Sequence, residues 1–552
     1  MFTILRRSKH FTLLIALIIA AFMVYCGGKK KQEEASAAEA AEEKEELQQI
    51  LLLGNGTEPE TLDPNLATGV PEHSIMKALL EGLVAEDPKD LHPVPGMAES
   101  WEISEDQKVY TFNIRKNAKW SNGDPFTAHD FVYSWKRILS PKLASEYSYM
   151  LHIIENAKEY NDGKLKDFSK VGVKAADDHT LKVTLKASTP YFLSLLTHNS
   201  AFPVHKATIE KFGKIDERGT KWAREGNYVG NGGFTLEKWE LNKIIVVKKN
   251  PLYWDAATVK LEEIHFFPTE DIATEERLFR SGKLHITRQV PIEKIGVYQS
   301  DNPELIRIDP YLGTYYYMIN VKKKQFKDPR VRRALAMSID RKTIVEKVTK
   351  GGQLPAFCYT PPKTQGYTSR HNIEYNVEEA KKLLAQAGYP DGKGFPTSKI
   401  LYNTSEAHKK IAEVIQQMWK TNLGVNVTLE NQEWKVYLAS RKSLDYDIAR
   451  AGWIGDYPDP NTFLDMFVTG GGNNRTGWSN KKYDGLIDKA SMTSDQAKRY
   501  ELFQEAEKIL LDEVPICPIY TYTNVYLKSP KLKGWYPTIQ DHHPYKHVYL
   551  EN

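Results

Sequence analysis

Cysteine is nearly absent from this 552-residue chain, which has three. That excludes a disulfide-stapled scaffold and a zinc cluster built from cysteines. Charge of one sign is not in excess either. The 75 Lys and Arg against 71 Asp and Glu leave a formal +4, which argues against nucleic acid as a partner. The common catalytic signatures are missing as well. No His precedes a Glu, so H-E-x-x-H is absent; so is G-x-S-x-G, and Gly388 to Lys393 lacks the spacing and the Ser or Thr of a phosphate-binding loop. Carboxylate pairs such as Asp445 and Asp447 are too common to argue for a glycosidase. What remains is an ordinary globular mixture, 41% hydrophobic, 26% charged and 11% aromatic. At roughly 150 residues per domain the length amounts to three or four domains.

No apolar run is long enough to span a membrane comfortably. Arg6, Arg7 and Lys9 precede an apolar stretch from Phe11 to Tyr25 that ends at Cys26-Gly27-Gly28. As a helix it would reach about 22 Å, short of the roughly 30 Å hydrocarbon core. Basic residues before a short apolar stretch read as a secretory signal over 1–25. Cysteine directly after that stretch resembles the lipidation site of bacterial lipoproteins, although Met23-Val24-Tyr25 replaces the usual Leu-small-small triplet. Lipidation of Cys26 would anchor the chain to a bilayer through its acyl chains. A plain exported protein or an uncleaved anchor is the other reading. Residues 26–48 are mostly Lys, Glu, Ala, Ser and Gln, too polar to fold alone, and read as a charged tether.

Beyond residue 49 short strands and amphipathic helices interleave, which predicts an α/β class. Val109 to Ile114, Leu181 to Leu185, Ile244 to Val247 and Ile264 to Phe267 read as strands. Ala128 to Leu139, Val377 to Ala387, Ala407 to Trp419 and Gln496 to Leu511 read as helices, the second closed by Gly388 with Pro390 beyond. No second low-complexity linker appears, so the domains must be interwoven. His542-His543 reads as a surface or packing pair pointing apart on a strand. Cys358 and Cys517 either pair or remain buried thiols.

Motifs then recur in order along the chain: Glu60-Thr61-Leu62-Asp63-Pro64, Gly82-Leu83-Val84, Ala98-Glu99-Ser100-Trp101, and the long stretch from Phe112 to Trp135, F-N-I-R-K-N-A-K-W-S-N-G-D-P-F-T-A-H-D-F-V-Y-S-W. Later stand Asn250-Pro251-Leu252-Tyr253-Trp254-Asp255, Thr314-Tyr315-Tyr316-Tyr317, Asp328 to Leu335, Asn422-Leu423-Gly424-Val425, Gln432-Glu433-Trp434 and Gly452 to Tyr457. The series resembles bacterial extracellular solute-binding protein family 5, the oligopeptide-binding proteins of ABC importers. The resemblance implies a two-lobed, periplasmic-binding-protein type II-like fold with an extra inserted domain. One discontinuous lobe would be built from 49–80, 207–311 and 524–552, the extra domain from 81–206, and the second lobe from 312–523.

The same resemblance implies residue roles. Asp456 would take the ligand's α-ammonium. Gly452, Trp453 and Ile454 would pair with the ligand backbone, as would a second strand containing Thr68 and Val70. Trp434 and Tyr147 would line pockets or touch that backbone. Arg450, Arg441 and His408 would meet the carboxylate of peptides of successive lengths, His408 most strongly when protonated. Pairing through main chain and termini suits a ligand of arbitrary sequence. Some family members place a cysteine pair at the positions of Gly313 and Ile454, and acidic residues at those of Thr68 and Met318.

The function implied is capture of short peptides by a monomer at the periplasmic or cell-surface side of a bacterial membrane. Delivery would be to ABC permease subunits, with no cofactor and no catalysis. The alternatives are an exported peptide or glycan hydrolase, a surface adhesin or receptor, or a binding protein of the same fold for dipeptides, haem or nickel chelates.

Overall fold

The computed structural model describes residues 47–552; the segment expected to be a signal, Cys26 and the part of the expected tether up to residue 46 lie outside the described residues. Three sheets organise the chain. The first has the order Ile50–Gly54, Glu263–Phe267, Ile244–Lys249, Phe234–Glu240. Its first pair is parallel and the others antiparallel. Alternation decides the faces: Ile264 and Phe266 are fully buried, while Glu263 and His265 are only half-buried. The chain's last strand, Tyr549–Leu550, pairs with Leu532–Lys533, and the Gln49 side chain ties its Leu550 backbone to the start of this sheet.

The second sheet has six strands, in the order Leu354–Pro355, Ile516–Leu527, Ile306–Ile319, Ile448–Ile454, Ser398–Asn403, Val427–Gln432. Helices cover it, and Thr314 to Ile319 are buried without a break. Such a run fits a strand packed on both faces. Tyr315 and Tyr317 enter one core with Trp419, while Tyr316 and Met318 enter another with Trp453. The helix Glu406–Leu423 buries His408, Ile411, Ala412, Ile415, Trp419 and Leu423, spaced three or four apart. Ser405 caps it, and Gly424 stops it in the left-handed region at φ 69°.

The third sheet is antiparallel, in the order Ala98–Ile103, Val109–Ile114, Thr180–Thr184, Val173–Asp177. The helix Ala128–Ile138 packs on it through Phe131 and Trp135, and Thr127 with Asp130 forms its capping box. Two long strands join the first two bodies. Ile306 and Leu527 sit in a core with Phe279 and Leu284, whereas Tyr315 and Tyr520 sit in the core of the second sheet. Their antiparallel register shifts between Pro310 and Thr314, between those cores. The whole is a two-lobed α/β fold with a smaller third sheet.

The strands and helices expected from the sequence form, with ends moved by a few residues. The helix expected to end at Trp419 runs on to Leu423, because the first residue able to stop it is Gly424. Cys358 and Cys517 are free thiols. Among the described residues no helix is long and apolar enough to cross a membrane.

Candidate functional site

A cleft of about 330 Å³ is lined by both lobes and by the third-sheet body. Thr68, Val70, Tyr147, His408, Trp434, Arg441, Arg450, Gly452, Trp453, Ile454 and Asp456 all face it. Residues almost 400 positions apart are therefore gathered in one space. Of the sequence-derived site residues, only Cys26 lies elsewhere, outside the described residues.

The strand Ile448–Ile454 forms one wall. Along one edge it pairs with Gly313 to Ile319 over its whole length. Along the other, pairing with Ile400 and Leu401 ends at Ala449. Among the described residues no strand pairs with Gly452 to Ile454 on that side, so an edge of backbone faces the cleft. Gly313 and Ile454 are direct partners in this register. A Cβ on Gly313 would sit 2.4 Å from Ile454 Cδ1. The opposite wall differs from expectation. Gly69 is extended, but Val70 opens a helix, Val70–Leu79, rather than continuing a strand. Pro71 sets this, since its fixed φ suits a first helical turn that needs no donor.

Asp456 follows the open edge of the wall strand. Its Oδ1 accepts from the Tyr147 hydroxyl at 3.2 Å, and His198 Nε2 lies 3.4 Å from the same atom. Its backbone N–H donates to Thr462 Oγ1 at 3.0 Å, and its buried Oδ2 has no hydrogen-bond partner. Burial with only these uncharged groups against it pushes the carboxyl up to about 8.

Two guanidiniums face the same cleft in the opposite condition. Arg450 donates to Asn403 Oδ1 at 3.2 Å and to the Tyr522 hydroxyl at 2.8 Å, and lies over the Tyr315 ring. Arg441 reaches Met318 Sδ at 3.9 Å and lies over Tyr437. Neither has a carboxylate within ion-pair distance among the described residues, and both Nε atoms are buried without a partner. His408 lies 3.4 Å from the Tyr315 hydroxyl. Burial, then the charge of Arg450, depress its basicity well below the ordinary value. It is therefore neutral here, against the expectation that it acts as a cation.

The sequence reading missed three participants. His73, His198 and His542 stack in the cleft wall, with ring centroids 5.8 Å apart for His73 and His198 and 4.5 Å for His73 and His542. His542 is on a loop, not a strand, and pairs with Glu86 at 2.8 Å. His543 packs on Trp535 and pairs with Asp541. Only the adjacency of two histidines signalled this in the sequence, because the stack joins segments far apart.

The sequence model of bacterial extracellular solute-binding proteins, family 5 Middle, matches residues 92–475. The chain is 43% identical over 513 residues to the periplasmic oligopeptide-binding protein OppA of Salmonella typhimurium, covering 91% of this chain and 92% of that one. It is similar to the crystal structure of Haemophilus influenzae OppA in complex with RPPGFSPFR, at TM-score 0.86 and 37% identity over 92% of this chain and 100% of that one. It is also similar to the Escherichia coli murein tripeptide binding protein MppA, 39% identical, at TM-score 0.87 over 91% of this chain and 99% of that one. Against MppA in its unliganded open form, with the same identity and 91% and 98% covered, the score is 0.62. The lobes of this chain thus lie away from that open arrangement.

Proposed function

The chain belongs to the family 5 bacterial extracellular solute-binding proteins, and from that premise we propose that it captures short peptides in the periplasm and delivers them to a membrane ABC transporter. A solute-binding protein needs a ligand-shaped cleft rather than a reaction centre. One observation carries the reading: the cleft buries a carboxylate that has no cationic partner together with two guanidiniums that have no anionic one. A zwitterion with separated ends satisfies the carboxylate and, according to its length, one or the other guanidinium.

In this reading the ligand's α-ammonium takes the open Oδ2 of Asp456. A charge-assisted hydrogen bond of this kind contributes about 1.5–3 kcal/mol. The backbone edge at Gly452 to Ile454 supplies ladder hydrogen bonds that ignore side-chain identity. Thr68 and Val70 close the ligand's other side, and Trp434 and Tyr147 wall the side-chain pockets. Each added ligand residue moves the carboxylate by about 3.3 Å. Arg450, Arg441 and the neutral His408 then serve different peptide lengths, with Arg forks suited to a planar carboxylate. Cys26 is proposed as the lipid attachment site that keeps the protein at the membrane.

The test is native mass spectrometry of protein purified without denaturation, followed by calorimetry with tri- to pentapeptides. Intact peptides retained with free termini support the reading. Turnover of the peptides, or no peptide binding at any length, would overthrow it.

A further inference from the structure

The histidine stack touches the proposed ammonium anchor, and its protons are fixed by neighbours. Ser200 N–H donates to His198 Nδ1 at 3.3 Å, so the His198 proton sits on Nε2, facing Asp456. Asn199 spends its amide on Pro64 O at 3.1 Å, which turns its Oδ1 to His73 Nδ1 at 2.8 Å. His73 therefore carries its proton on Nδ1, and its Nε2 is buried without a partner. His542 gives Nδ1 to Glu86, whose other oxygen holds Lys77 at 2.8 Å. A proton added to His73 or His198 would thus enter a stack already flanked by Lys77.

Resting on the peptide-binding reading above, we propose that His198, backed by His73 and His542, is a positioning residue: its neutral imidazole orients Asp456 for the ligand's ammonium, and closure over the ligand requires His73 and His198 to stay uncharged. Capture is then weakened by acid. A second positive charge on His198 would stand against Asp456 Oδ1 and compete with the ligand's own ammonium for it.

Charges of both signs surround the stack, and burial decides between them. Lys77 lies on the helix that carries His73, and Glu86 on the strand Val84–Glu86 is already shared by Lys77 and His542. Arg288, Asp541 and His543 line a small cavity with His73 and His542, and Arg288 is paired with Asp541. Across the cleft stand Asp456 and, beyond it, Asp465. Burial first, then the neighbouring His542 and Lys77, depress His198 to about 3 and push His73 well below its ordinary range. A solvated histidine titrates near 6.5. The closed site therefore binds fewer protons than an open one below that pH, so acid favours opening and affinity falls as pH falls.

Calorimetry of tri-alanine with the full chain at pH 7.0 and 5.0 tests this. Linkage gives a loss of about 25-fold for each histidine kept neutral by closure. His198→Gln keeps a donor at similar reach and removes the titration. It should bind within about 3-fold of the unsubstituted protein at pH 7.0 and lose one histidine's share of the acid penalty. His198→Ala should bind more weakly at both pH values. Affinity that changes less than about 3-fold between the two pH values overturns the proposal, as does a His198→Gln variant with an undiminished pH dependence. Failure to bind tri-alanine or any longer peptide at pH 7.0 would instead overturn the peptide reading itself, and this proposal with it.

Discussion

Asp456 and Asp459 stand three residues apart, both buried, in opposite electrostatic conditions. Asp459 holds Arg499 in a two-pronged pair at 2.6 and 2.7 Å, fully out of water. Asp63 and Arg137 repeat that arrangement at 2.6 and 2.8 Å under the third-sheet helix. Asp456 receives only uncharged donors and keeps one oxygen bare. The first two carboxylates hold the body together. The third costs stability and is retained facing a cleft, which is where a ligand's charge would compensate it. Among these three carboxylates, the two with guanidinium partners build the walls, and the one without faces the cleft.

The largest effect that would break this contrast is on stability. Asp459→Asn strands Arg499 in the interior and should cost about 3–5 kcal/mol of unfolding free energy, measured by urea denaturation. Asp456→Asn should cost none, because it removes a desolvated charge that has no partner. Equal destabilisation by both would dissolve the distinction. On affinity the order reverses. Asp456→Asn should weaken a free tripeptide by about 2–3 kcal/mol, or about 30- to 150-fold, in a calorimetric titration.

Smaller effects sharpen it. Arg450→Met and Arg441→Met should each weaken by about 10-fold only the peptide lengths whose carboxylate reaches that side chain. A loss uniform across lengths would mean that the guanidiniums serve the closed fold rather than the ligand. The smallest effect is a pH dependence of stability. The Asp456 carboxyl is raised from its ordinary value to about 8, so the folded protein binds the extra proton between that ordinary value and pH 8. Its destabilising contribution is therefore complete above pH 8 and fades as pH falls toward 4. The stability advantage of Asp456→Asn over the unsubstituted protein should be larger at pH 8.5 than at pH 5, read from urea melts.

Much of this was legible in the sequence, for local reasons. Alternation in Val109 to Ile114 marked a strand, and Gly424 after a periodic run marked a helix end. The cleft residues were legible through motif order, because Gly452 to Asp456 are contiguous and carry their geometry with them. Pro71 beside Val70 is a local signal for a helix start, and the strand implied by the resemblance overrode it. What else escaped depends on distant segments meeting. His73, His198 and His542 are separated by more than a hundred residues each, and only the tertiary arrangement stacks them. The neutrality of His408 follows from burial beside Arg450, a neighbour across two elements.

The account's central claim is that the cleft reads the two charged ends of a peptide. Calorimetry comparing tri-alanine with its N-acetylated and C-amidated forms tests it most directly. Each block should lower affinity by about 30-fold or more, and N-acetylation should cost almost nothing further in the Asp456→Asn variant. Blocked and free peptides binding equally well would contradict it.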